Sequence, residues 1–426
     1  MNAEIVAGTI TSKQEAMDYL TWTYFFRRLI VNPTYYQLDE VDNKLLNRYL
    51  SQLILQATLT LSMSHCIEYD DDGKLEPTTC GRIASFYYLS HKTLKLFNDT
   101  LNDDLKIEDL IGILSSAHEY AELPVRHNED QINAELNNDV PIKADMFLMD
   151  SPHTKCSLLL QAHYCRLKLA SSDYITDLKT VMDQCLRVLQ AMLDFCADRG
   201  WLTTSLYIVH LLQMTCQGHW LTDSDLLNLP CIKTEHLSRF FNNKPRIDCL
   251  PRLIDVYSED KQVISRLFHD VFTTIQIDEI AQVVDKLPLI EVYLSIDGEL
   301  PNNAKRLEIG QTNAVVELYA NTEYALQIGL RRLNRTRQKD SKAYTPYFAK
   351  PKDENWILML GNAESKELMA LKRINSIKNQ QITSLQFETP EMSSRMNYNY
   401  SLYFMSDVYL GLDQQYEIKI KLIAKK

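Results

Sequence analysis

Apolar side chains recur at every third or fourth position through most of the chain up to Pro288, and at every second position beyond it. The clearest helical stretch runs from Thr180 to Trp201. There Leu186, Leu189, Leu193 and Cys196 fall at i, i+3, i+7 and i+10 and make one apolar stripe. Gln184, Arg187, Ala191 and Asp194 line a second face, a guanidinium among small residues and amides. Gly200 is placed to end the helix as a left-handed residue, and Trp201 restarts the chain. Such a helix packs its stripe into a bundle. Its other face meets either solvent or a channel that passes a strand of nucleic acid, and the spacing fits both.

Ahead of it, Ser12-x-x-Glu15 reads as a capping box opening one helix through AMDYLTWTYFFRRLIV, which Asn32-Pro33 stops. A second helix is expected over Glu40–Ala57, with Leu45, Leu46, Tyr49, Leu53 and Ile54 on its apolar side. Two β-like runs follow, Thr58–Ser64 and Cys66–Tyr69, with Asp70-Asp71-Asp72-Gly73 as a turn before Lys74 and Leu75. Helices and then a small hairpin fit a winged helix, which serves either as a nucleic-acid binder or as a rigid spacer. Gly81–Leu96 keeps the helical period, and its Phe86, Tyr87 and Tyr88 are expected in the core. Further helices are expected at Ile107–Ala117, Asp130–Leu136 and His153–Leu169, the last opened by Asp150-Ser151-Pro152. Leu202–Gly218 is apolar all round and therefore buried.

From Trp220 the pieces shorten: Leu226–Pro230, Thr234–Phe240, Leu250–Tyr257, Glu259–Phe268 and Asp278–Lys286 make a unit of helix-hairpin-helix size. After Pro288 eight strands are expected, at Glu291–Ser295, Ala314–Leu318, Ala325–Leu330, Trp356–Gly361, Leu368–Ile374, Thr383–Glu388, Tyr398–Ser406 and Tyr416–Ile423. The pattern sets a multidomain α+β chain: a winged helix over 1–78, a helical bundle over 79–221, a small helix-hairpin-helix-like unit over 222–288, and a C-terminal antiparallel, immunoglobulin-like β-sandwich over 289–426.

Composition narrows this picture. With 426 residues, 45% hydrophobic and 24% charged, the chain is globular and exceeds one ordinary domain. No apolar run approaches the ~20 residues that span a bilayer, so no membrane is expected. MNAEIVAGTITSKQ lacks the basic start and apolar core of a signal peptide. The nine cysteines never form a CxxC pair and mostly occupy apolar helix positions, which points to a reducing compartment. A net charge of -11 leaves nucleic-acid contact to a local patch or a neighbouring domain. Arg331–Lys342 carries six basic side chains and reads as a loop between strands, either solvated or phosphate-contacting.

Catalytic signatures are missing: there is no GxxxxGK[ST], GxSxG or HExxH. The titratable run Arg126-His127-Asn128-Glu129-Asp130 suits a helix start better than an acid–base site, since no nucleophile or metal spacing accompanies it. His153 and His163, and His210 and His219, are not at metal-ligand spacings on one helical face. The chain alone is read as no enzyme, with neither catalytic residue, metal nor cofactor.

The order of parts resembles the C-terminal portion of a Ski2-like helicase cassette, whose last three domains form a Sec63 homology unit. The wording carries the resemblance: NAEIVAGTITSKQEAMDYLTWTYFFRRLIVNPTYY (2–36), GRIASFYYLSHKT (81–93), LPVRHNED (123–130), DSPHTKCSLLLQAH (150–163) and LYFMSDVYLGLDQQY (402–416). It is nearest to the cointegrator-complex branch of the family and next to the U5 spliceosomal branch. The resemblance implies that two RecA-like motor domains, with their ATP and Mg, belong ahead of Met1, so the chain is expected to be a helicase tail, whether as a fragment, a truncated gene model or a short product. It also implies that the central helix is a ratchet helix, with Gln184, Arg187, Ala191 and Asp194 toward a single strand and Arg187 the foremost contact. Arg27 and Arg28 rank second, and more as partners of the motor domains. Implied partners are single-stranded nucleic acid, the motor domains and other cointegrator-complex subunits, in nucleus and cytosol. A purely protein-docking role is the alternative.

Overall fold

The computed structural model describes residues 1–38, 42–70, 73–301, 315–334, 342–391 and 397–424. The N-terminal region holds α1 (Asn2–Val6), α2 (Lys13–Thr21), α3 (Tyr24–Val31) and α4 (Asn43–Met63), then the hairpin β1 (Ile67–Tyr69) and β2 (Leu75–Pro77). The single helix expected over 16–31 is two. The Thr23 hydroxyl accepts from Phe26 N at 3.4 Å and starts a second helix at Tyr24. The Ser12 hydroxyl accepts from Glu15 N, but the Glu15 carboxylate turns to the amide and hydroxyl of Thr11, at 2.7 Å each, so the capping box is half formed. The strand expected over Thr58–Ser64 is instead the end of α4. Leu50, Ile54, Thr58 and Leu61 are buried at helical spacing, and that burial overrides the β preference of the threonines.

The bundle consists of α5 (Thr79–Phe86), α6 (His91–Thr100), α7 (Ile107–Ser115), α8 (Glu129–Asp139), α9 (Pro152–Tyr164), α10 (Ser172–Asp198) and α11 (Leu202–Gln217). The helix expected over Gly81–Leu96 breaks after Phe86, where Tyr88 takes φ +52°. Of the three aromatic residues assigned to the core, only Tyr87 is buried. Phe86 is 76% exposed and Tyr88 84%. Phe86 shares the outward face of α5 with Arg82, four residues earlier, while Cys80, Ile83 and Ala84 point inward.

Short helices α12 (Leu237–Phe241), α13 (Leu250–Glu259), α14 (Val263–Phe268) and α15 (Thr274–Lys286) follow. All eight expected strands are present: β3 (Ile290–Asp297), β4 (Val315–Tyr319), β5 (Glu323–Arg332), β6 (Trp356–Asn362), β7 (Glu367–Ile374), β8 (Gln380–Glu388), β9 (Asn397–Ser406) and β10 (Gln414–Ile423). They form two sheets, β4-β10-β9-β6-β7 and β3-β5-β8. The arrangement departs from an all-antiparallel one in a single ladder, since β4 runs parallel to β10.

Two large cores organise these elements. One joins Ile5, Ile54 and Leu61 of the N-terminal region, the bundle, and the outer face of β6 and its neighbours. The other joins α12–α15 to the interior of the two sheets. Strand β6 is buried on both faces: Trp356, Leu358 and Leu360 enter the sandwich interior, while Ile357 and Met359 pack toward the bundle. That reading as a continuous apolar run is the mark of a strand covered on two sides.

The basic run behaves differently from a free loop at its edges. Arg331 and Arg332 complete β5, and Arg332 is buried against Glu354 at 2.8 Å. Lys342 pairs with Asp353 at 2.8 Å, and Arg335, Arg337 and Lys339 lie outside the described residues. All nine cysteines are free thiols; six are buried and Cys231 is exposed. Burial pushes the Cys66 and Cys185 thiols up to about 12. Among the described residues no helix is long and apolar enough to cross a membrane, and no group of His, Cys, Asp and Glu is placed to hold a metal ion.

Candidate nucleic-acid interface

Helix α10 has 27 residues and so is about 40 Å long. The Ser171 hydroxyl accepts from Tyr174 N and opens it, eight residues before the stretch that its pattern made clearest. Gly200, at φ +73°, ends it as expected, and Trp201 begins the approach to α11. Leu189, Leu193 and Cys196 are fully buried, and Leu186 lies at the seam of the two cores.

The N-terminal end of α10 is fixed by a buried charge cluster. Lys155 of α9 is 0% exposed. Its Nζ donates to Glu129 at 2.6 Å, Asp177 at 2.7 Å and the Pro124 carbonyl at 2.8 Å. Arg126 closes the group from the solvent side, reaching Glu129 at 2.9 Å and Asp177 at 2.7 Å. Burial alone would raise the Glu129 and Asp177 carboxyls, but the hydrogen bonds from Lys155 and Arg126 outweigh it and hold both below the ordinary value. Two cations thus meet two anions, and Lys155 also sits 4.6 Å from the centre of the Tyr174 ring. The titratable run is therefore a helix start, as its sequence suggests. What the sequence does not show is Lys155 and Asp177 converging on it from two other helices.

The C-terminal end is held by backbone. Leu202 N donates to the Lys366 carbonyl at 3.1 Å and Leu368 N to the Gly200 carbonyl at 2.8 Å, so the β6–β7 hairpin is bridged to the break between α10 and α11. A Cβ on Gly361 would stand 2.7 Å from the Glu367 carbonyl oxygen and 2.8 Å from the Leu202 side chain, so only glycine allows this approach.

Between these ends runs a half-exposed polar stripe. Asp183 pairs with Lys350 at 2.7 Å. Arg187 donates to the Gln184 side-chain carbonyl, and its Nε is buried without a hydrogen-bond partner among the described residues. Asp194 pairs with Arg373 of β7 at 2.6 Å and accepts from the Tyr87 hydroxyl at 2.6 Å. Burial first, and then that bond, push the Tyr87 phenol up. Gln184, Arg187 and Asp194 share this side of the helix. Ala191 does not: it is 0% exposed, in the bundle core, because the stripe is centred nearer Asp183, Arg187 and Asp194 than the four-residue pattern implies. Arg27 and Arg28 are exposed on α3, which packs on α2 and the turn at Pro33–Tyr36 rather than on α10, and Arg28 lies 4.8 Å from the centre of the Tyr35 ring. Sequence reasoning missed Asp183, Tyr87, Lys350 and Arg373. Of these, Asp183 was legible at one turn's spacing from Arg187.

The residues are well matched by known proteins. A family model described as the Sec63 Brl domain matches residues 77–419, and one described as a winged helix-turn-helix domain matches residues 1–71. The chain is 46% identical to activating signal cointegrator 1 complex subunit 3 of Mus musculus, over 99% of this chain and 20% of that protein. It is 37% identical to DExH-box ATP-dependent RNA helicase DExH14 of Arabidopsis thaliana, over 98% of this chain and 18% of the relative. With the U5 small nuclear ribonucleoprotein 200 kDa helicase of Homo sapiens the identity is 33%, over 98% of this chain and 18% of the relative. The chain spans about a fifth of the length of the curated relatives it matches. On the match over 77–419, the chain belongs to the Sec63 Brl domain family.

Proposed function

We propose that this chain is the non-catalytic C-terminal module of an ATP-dependent nucleic-acid helicase, in which α10 guides a single strand and the rest of the surface docks partner proteins. ATP and Mg act in the motor domains of the intact helicase. The observation that carries the reading is the stripe of α10: a rigid helix, fixed at both ends, presenting a half-exposed Arg187 that no carboxylate pairs with among the described residues. A guanidinium so placed can pair with a phosphate or stack on a base. Gln184 holds it in place, and Asp194, already paired with Arg373, adds little repulsion.

We read the remaining parts as the four units delimited from the sequence, ending in an immunoglobulin-like sandwich. Supporting this, the order β3-β5-β8 and β10-β9-β6-β7 matches strands A-B-E and G-F-C-C′ of that fold. We place the chain in nucleus and cytosol; the names of the relatives favour the nucleus and a complex with cointegrator or ribonucleoprotein subunits.

The second reading, a docking platform that binds no nucleic acid, is favoured by the exposed Trp22, Tyr24 and Val31 of the N-terminal region. Arg187→Ala in the motor-containing protein separates the two. Strand guidance predicts single-strand affinity lower by several-fold, with a salt dependence shallower by about one phosphate contact. Unchanged affinity and unchanged unwinding would leave the docking reading.

A further inference from the structure

Residues Phe86 and Tyr88 are the only large apolar side chains exposed between Tyr69 and Met146 among the described residues. Between them Tyr87 is buried, its hydroxyl tied to Asp194 of α10 at 2.6 Å and its ring edge-on to Phe86 at 4.9 Å between centres. Two exposed rings therefore flank an anchored one, at the edge of the α10 stripe.

The backbone holds Tyr88 out against its own preference. It takes φ +52° at the end of α5, a position where glycine is the common choice and a bulky side chain is strained. The turn is nevertheless well formed, with Tyr87 N bonded to the Ile83 carbonyl at 3.0 Å and Leu89 N to the Ala84 carbonyl at 2.9 Å. Exposed cations lie on the same two helices, α5 and α6. Arg82 shares the outward face with Phe86, while Lys92 and Lys95 are exposed on α6, and none of the three has an ion-pair partner among the described residues.

We propose that the end of α5 is a base-stacking platform for single-stranded nucleic acid: Phe86 and Tyr88 each offer a ring face to a base, and Arg82, Lys92 and Lys95 meet the adjoining phosphates. Aromatic rings accompanied by cations that no carboxylate neutralises fit a strand better than the apolar surface of a protein. The platform rests on the strand-guiding reading and extends its path from α10 onto α5.

The test is fluorescence anisotropy of the full chain with labelled oligo-dT and oligo-rU of about 15 nucleotides, in a salt series. Phe86→Ala combined with Tyr88→Gly is expected to weaken binding about tenfold or more with the salt slope unchanged, because stacking releases no counterions. Arg82→Gln is expected to make the slope shallower by about one unit. Tyr88→Gly relieves the left-handed backbone, so its melting temperature should match or exceed the wild type, which separates lost stacking from lost folding. Unchanged affinity in the double variant, with Arg187→Ala still weakening binding, overturns the platform and leaves strand guidance standing. Weakening by the double variant alone keeps the platform and removes Arg187 from the path. If the wild-type chain binds neither oligonucleotide at low salt, both readings fail for this chain.

Discussion

The two ends of α10 are held by opposite means. At the N-terminal end, charged groups from α8, α9 and α10 neutralise one another around Lys155, with Arg126 as a lid. At the C-terminal end, uncharged backbone bonds and a glycine contact seat the β6–β7 hairpin on the helix break. The charge cluster is strong only while complete, since removing one partner strands the others without water. The backbone seat is indifferent to charge but has no room to grow. One helix thus carries an end sensitive to electrostatics and an end sensitive to bulk.

The largest effect expected from breaking this contrast is that of Asp177→Asn, which leaves the fully buried Lys155 with one carboxylate. It should cost about 3–5 kcal/mol in urea denaturation; a loss under about 1 kcal/mol would mean that the cluster is no anchor. The wild-type cluster also has a pH signature. Its carboxyls sit lower in the folded chain than in the unfolded one, so their stabilisation is present above about pH 4 and is lost as pH falls below that.

Gly361→Ala comes next, at about 1–3 kcal/mol, because the Glu367 carbonyl is backbone and cannot turn aside. Hydrogen exchange should quicken at the Leu202 and Leu368 amides and stay unchanged in α8. Exchange that quickens equally at both ends would dissolve the contrast.

The smallest effect sharpens it. Farther along α11, away from the C-terminal seat, Gln213 donates to both oxygens of Asp413 at 2.9 Å, and His210 lies 3.8 Å away. Burial pushes the Asp413 carboxyl up to about 6 despite these partners. A carboxyl raised on folding binds its proton more tightly in the native state, so this contribution is greatest below about pH 4 and declines as pH rises to about 6, the reverse of the Asp177 cluster. Asp225, also raised to about 6 by burial, acts with the same sign. Asp413→Asn should flatten the decline between pH 4 and 6 in urea melts, and an unaltered slope would remove Asp413 as its source.

Much of this architecture was legible because periodicity reports burial directly: every strand after Pro288 and the length of α11 follow from it. Two of the failures share one cause, a local signal that the period hides. At Thr23 a cap interrupts an apolar run that continues in phase, and at Tyr88 a helix ends without the glycine that would announce it. The polar face of α10 could be read from spacing, but not the rotation that buries Ala191. Still less could the sequence show Arg373 meeting Asp194, two residues far apart in the chain that are joined only by the docking of β7.

The distribution of thiols has a practical side. Eight of the nine cysteines are buried or half-buried, and burial holds all eight, the half-buried Cys165 and Cys249 included, in the unreactive protonated form more firmly than usual. Cys231 alone stands open, just ahead of the short helices. The wild-type chain therefore carries a built-in single attachment point for a maleimide dye, and a labelled oligonucleotide run past it would report by energy transfer which way along the protein a strand lies.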